Sequence, residues 1–158
     1  AALGLPFSFA SHFAPQQIAE ALHVYREGFR ADAPTAQVDR PTVMAGVNVL
    51  VAPTQEEAEH LFTTSQLMAV RIRTGQPAPL DPPVADLAQA LPEPLLAIAG
   101  RSRGRGRAVG DPAHVVAELE RFVTTYDLDE LIVTTYTHDP ALRVRSMELL
   151  AQSWGLPA

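Results

Sequence analysis

The chain of 158 residues contains no cysteine. A disulfide framework and a thiolate metal site are thereby excluded, and nothing points to an oxidising compartment. No apolar run approaches the roughly 20 residues that span a bilayer, and no basic leader precedes an apolar core segment. The expectation is a soluble, cytoplasmic protein. Positive charge is in the minority: 12 Lys and Arg stand against 18 Asp and Glu, a net charge of −6. That balance argues against nucleic acid as a main partner, because phosphate backbones are held by positive surfaces. No internal repeat is visible.

What is present is a globular composition, 47% hydrophobic and 19% charged, over about one domain's length. Pro6 to Ser11 reads as a short buried strand. From Pro15 to Phe29, Ile18, Ala21, Leu22, Tyr25 and Phe29 recur at helical spacing, with Pro15 placed in the first turn. Gly4, just before the first strand, reads as the stop of a preceding helix. The run TVMAGVNVLVA, Thr42 to Ala52, is nearly continuous in apolar character, as strands buried on both faces are. Thr54 and Glu57 form a capping-box pattern that opens a helix to about Arg73, with Ala58, Leu61, Phe62, Leu67, Met68 and Ile72 inward.

Six prolines between Gly75 and Pro94 predict an excursion without long regular structure, with at most a short helical turn at 84–91. The stretch GRSRGRGR, Gly100 to Arg107, carries four arginines among glycines. It reads either as an anion or RNA contact or as a solvated loop, and the acidic background favours the loop. Asp111-Pro112 then caps a helix to about Tyr126, Glu130 to Thr135 forms a third strand, and Asp139-Pro140 caps a last helix to about Trp154. Strands alternating with helices predict an α/β fold with a parallel sheet.

In such folds chemistry gathers at the carboxyl ends of strands. Ser11 and His12 follow the first strand, and Thr134 to His138 follow the third. His12 reads either as a loop residue bonding its neighbours or as a functional group, and it is the candidate catalytic residue. His138 sits beside a helix cap and reads as structural, and His23, His60 and His114 fall on helix surfaces. No residue set suggests a metal.

Taken together, GLPFSFASHFAP, VMAGVNVLVAPTQEEAEHLF, VGDPAHVVAELERF and DELIVTTYTHDPALRVRSMELLA resemble, in order, the C-terminal half of luciferase-like flavin-dependent monooxygenases. These are (β/α)8 barrels related to bacterial luciferase. The resemblance implies that the chain is the C-terminal part of a TIM barrel, strands six to eight with their helices, with a Pro- and Arg-rich excursion at 75–110 inside one domain spanning 1–158. It implies reduced FMN as cosubstrate, or the deazaflavin F420 in a close variant. It also implies a small organic substrate, a flavin reductase as partner and a homo-oligomer. In this reading Ser8, Phe9, Ala10 and Ser11 line the flavin ring, with His12 just beyond it. The flavin phosphate contacts would lie ahead of Ala1. A non-catalytic fragment that associates through unpaired strand edges is the alternative.

Overall fold

The computed structural model describes residues 1–101 and 106–156. Its centre is β2 (Val43–Val51), the long valine-rich strand, which carries partners on both edges. β4 (Glu130–Thr134) lies parallel along one edge, from Met44↔Glu130 to Asn48↔Thr134. The other edge is shared end to end by two short parallel strands. β1 (Phe7–Phe9) pairs with Val43 to Ala45, and β3 (Arg107–Gly110) pairs with Asn48 to Val51. The three expected strands are thus parallel and adjacent, though β1 is shorter than Pro6 to Ser11.

β3 was not expected, nor was α4 (Glu93–Arg101). Arg107 therefore belongs to a strand rather than to a loop, while residues 102–105 of the arginine stretch lie outside the described residues. Within the Pro-rich tract α3 (Leu87–Ala90) is the expected short turn, with Asp86 as its cap.

Helix positions follow from caps and apolar stripes. α1 (Ile18–Glu27) begins three residues after Pro15 and buries Ile18, Leu22 and Tyr25. α2 (Gln55–Arg73) starts where the Thr54 hydroxyl accepts the Glu57 N–H at 3.2 Å. It turns Val70 inward and leaves Ile72 63% exposed, contrary to the expected stripe. α5 (Pro112–Tyr126) and α6 (Pro140–Ser153) open on Asp111 and Asp139, whose carboxylates accept first-turn N–H groups. α5 ends with Asp127 in the left-handed conformation (φ 50°). No helix of the described residues is long and apolar enough to cross a membrane.

Because side chains alternate along a strand, β2 has two unlike faces. Val43 and Ala45 pack with Ile18, Leu22 and Tyr25, and Val47, Val49 and Val51 pack with Ala108, Val115 and Leu119. This is the helix face. The opposite face carries Met44, Gly46, Asn48 and Leu50. Only its carboxyl-end part is covered, where Leu50 packs with Ala58, Leu61 and Phe62 of α2. The rest of that face is open: Ser8 and Glu130, in register with Met44, are exposed, and Ile132 is 44% exposed.

Two side chains repair the sheet where strands stop short. The Val51 N–H points past the end of β4, and Ser146 of α6 accepts it at 2.8 Å. At the other end Asp129 accepts the Val43 N–H at 2.8 Å and takes Arg40 at 2.6 Å. Burial works against ionisation of Asp129, yet the Val43 N–H and Arg40 hold its carboxyl below the ordinary range.

Candidate functional site

The site builds from the gap between β1 and β3 on their shared edge of β2. β1 ends opposite Ala45 and β3 begins opposite Asn48, which strands the backbone of Gly46 between them. Ser11, fully buried, fills that gap by donating its hydroxyl to the Gly46 carbonyl at 2.5 Å. Gly106 (φ +83°) closes the other side, since a Cβ there would stand 2.8 Å from the Ser11 carbonyl. The turn after β1 is thus locked against β2, and it delivers His12 to the open face.

His12 lies directly over Gly46. A Cβ on Gly46 would come within 2.2 Å of His12 Nδ1 and 2.7 Å of Cε1, so the imidazole uses the space that a side chain would take. Nδ1 is buried and has no hydrogen-bond partner among the described residues. Phe13, 77% exposed, lies against the imidazole with centroids 4.0 Å apart.

The next row along the open face is polar. Register places Arg107, Asn48 and Thr134 side by side on β3, β2 and β4. Thr134 donates its hydroxyl to Asn48 Oδ1 at 2.5 Å. The Arg107 guanidinium lies 5.9 Å from the centroid of Phe62, and its Nη1 is buried without a partner among the described residues. Burial draws its pKa below the ordinary value, with Tyr136 acting the other way. Around these residues the carboxyl-end loops are tied down. His138 Nδ1 donates to the Leu80 carbonyl at 2.8 Å and Thr137 to the Asp139 carbonyl at 2.8 Å, while Arg71 clamps Asp81 through bonds of 2.5 and 2.6 Å.

Of the residues expected to line a ring, Ser8 and Ala10 are exposed, Ser8 in the same row as Met44. The side chains of Phe9 and Ser11 are engaged elsewhere. Phe9 packs against the helix-face core around Ile18 and Leu22, and the Ser11 hydroxyl is spent on Gly46. Alternation accounts for Phe9, because neighbours along a strand face opposite sides, whereas Ser11 lies beyond β1 in the turn. His138 holds a loop, as expected, and His23, His60 and His114 are exposed. No cluster of metal-binding side chains occurs among the described residues. Sequence reasoning passed over Arg107 because it read the residue as part of a solvated loop. Its pairing opposite Asn48 was not visible in the local pattern.

No protein-family profile matches the chain. It is 38% identical over 96% of its length to the uncharacterized protein YvbT of Bacillus subtilis, covering 44% of that protein. It is 36% identical over 94% of its length to a protein of Escherichia coli K12 named luciferase-like monooxygenase, covering 43% of it. Among solved structures, apo-MsnO8 superposes with a TM-score of 0.81 and 31% identity, over 98% of this chain and 46% of that one. The chain therefore spans less than half the length of the curated relatives it matches.

Proposed function

We propose that this chain is the C-terminal half of the barrel of a luciferase-like flavin-dependent monooxygenase, which uses reduced FMN and dioxygen on a small organic substrate. The observation that carries the reading is the 36% identity, sustained over 94% of the chain, to a protein named luciferase-like monooxygenase. The parallel β/α arrangement supports it, with the polar pair Asn48 and Thr134 where β4 ends. β1, β2 and β4 would then be strands six, seven and eight.

The residues present fit a flat cofactor in part. Ser8 and Ala10 are small and exposed, which leaves a low surface beside Met44. Beyond them stands His12, whose Nδ1 is sealed against Gly46. Reduced FMN, when bound, supplies the electrons for dioxygen reduction. The contribution of the chain is to offer Ser8 and Ala10 as ring contacts and the His12 imidazole as a donor toward developing negative charge. Thr134 and Asn48 fix the polar row above. The missing barrel strands and the flavin phosphate contacts would come from residues ahead of Ala1. A flavin reductase and a second copy of the chain are the proposed partners. F420 in place of FMN would make oxygen dispensable, which is how the two cofactors are told apart.

The test joins this chain to the coding sequence upstream of it and measures oxygen-dependent product formation with reduced FMN. His12→Ala is expected to lower oxygenation by about 10²-fold, in keeping with the loss of one general acid, with FMN affinity nearly unchanged. Wild-type turnover in that variant would make His12 a bystander. This chain alone should bind FMN no tighter than the high micromolar range, and a reading frame with no barrel half upstream would overturn the proposal.

A further inference from the structure

A second feature does not depend on the monooxygenase reading. Beside the free edge of β3 lies a pocket of about 230 Å³, lined by Gln55, Glu59 and Phe62 of α2, by Arg107 of β3 and by His114 and Glu118 of α5. Its charged groups are unequally provided for. Glu59 accepts the Gln55 Nε2–H at 3.0 Å, and Glu118 is paired with Arg121. Both carboxylates therefore have a partner, that of Glu59 on the pocket wall and that of Glu118 outside it. Arg107 does not: its Nη1 is buried and, among the described residues, unbonded. Gln55 Oε1, buried on the same pocket, is likewise without a donor.

An arginine cannot shed its proton to escape this position, and a buried donor without an acceptor is costly. Phe62 offers the guanidinium a ring face at 5.9 Å but no lone pair in its plane. What the pocket lacks is one anionic acceptor for Arg107 and one donor for Gln55 Oε1. Chloride, acetate and sulfate supply only the first. A hydrogen phosphate group supplies both through its P–OH, and so does an α-hydroxy acid through its hydroxyl.

We propose that this pocket binds an oxyanion carrying its own hydrogen-bond donor, with Arg107 holding the charge and Gln55 Oε1 taking the donor. The geometry of α2 supports the assignment, because Gln55 Nε2 is already committed to Glu59 and so presents the amide oxygen inward.

The experiment titrates the protein with sodium phosphate and, at matched ionic strength, sodium sulfate, following the Arg107 Nε–Hε resonance by NMR. A saturable shift with phosphate, at least tenfold weaker with sulfate, is expected. Glycolate against acetate runs the same comparison for hydroxy acids, and the tighter of phosphate and glycolate names the ligand class. Arg107→Gln, read on the Gln55 and His114 backbone amides, should abolish the saturable phosphate response that these amides show in the parent, and Gln55→Met should reduce the phosphate response of Arg107 to the sulfate level. Arg107→Met should raise the thermal midpoint of the ligand-free protein, because it removes an unpartnered buried cation; a cation serving the fold would lower it. No saturable response to phosphate or glycolate, or a response that survives Arg107→Gln, would overturn the site. Equal affinity for phosphate and sulfate would overturn the role of Gln55. Should the Arg107 variants fail to fold, the wild-type titrations decide alone, since the resonance observed belongs to Arg107 itself.

Discussion

At the scale of single residues, the tightest constraint is the missing side chain of Gly46. The His12 ring occupies the volume where a Cβ would stand, so Gly46→Ala must push the imidazole off the sheet. Overpacking of this kind costs roughly 1–3 kcal/mol. The expected outcome is a lower urea midpoint together with displaced His12 imidazole resonances. Gly100→Ala is the control: a Cβ there meets nothing within 4 Å, and in a helix it should cost nothing. Ser11 teaches the companion lesson. In the sequence it is one polar residue in a row of candidates beside His12, yet its hydroxyl answers a backbone carbonyl left between two strands. Nothing local marks that carbonyl as stranded, because the gap arises from a strand almost 100 residues further on.

At the scale of elements, the start of β2 hangs on Asp129, which holds the Val43 N–H with one carboxylate oxygen and Arg40 with the other. Its carboxyl lies below the ordinary range in the folded protein. A group depressed in this way contributes stability above its unfolded pKa, and that contribution fades as pH falls through the folded one. Urea midpoints measured from pH 7 down to pH 2 should therefore show an acid loss that begins near the ordinary aspartate range, around 3.9. Asp129→Asn should flatten that part of the profile while lowering stability at pH 7. An unchanged profile would remove Asp129 as its source. The long elements were legible beforehand because each carries its own signal: valine density in β2, Thr54 before α2, Asp-Pro before α5 and α6. β3 carries none. Its four residues follow an Arg-Gly tract and become a strand only because β2 offers them an edge. α4 was hidden by Pro92 and Pro94, read as breakers, although Pro94 sits in the first turn, where a missing N–H does no harm.

At the scale of the whole molecule, the sheet is covered on one face and half bare on the other. On that bare face Met44 and the exposed Ile132 leave apolar side chains uncovered, flanked by the polar Ser8 and Glu130. Such surfaces drive association. Sedimentation at micromolar concentration should show the chain self-associating, and Ile132→Lys should shift it toward monomer; a variant that associates as strongly as the parent would place the contact elsewhere. The path of the chain around β2 has one more consequence. The polypeptide leaves β2 through α2, makes its long excursion, and returns through β3 to the opposite edge of the same strand before reaching β4. Both ends of the detour are thus anchored on one fixed rib, and the β2–β4 pairing never senses its length. Lengthening a loop twofold adds only about 0.6 kcal/mol of closure entropy. The exposed residues Gln76 to Pro79 are therefore where the protein tolerates change in size: an inserted tag, a reporter or a grafted recognition loop could sit there while the sheet keeps its register.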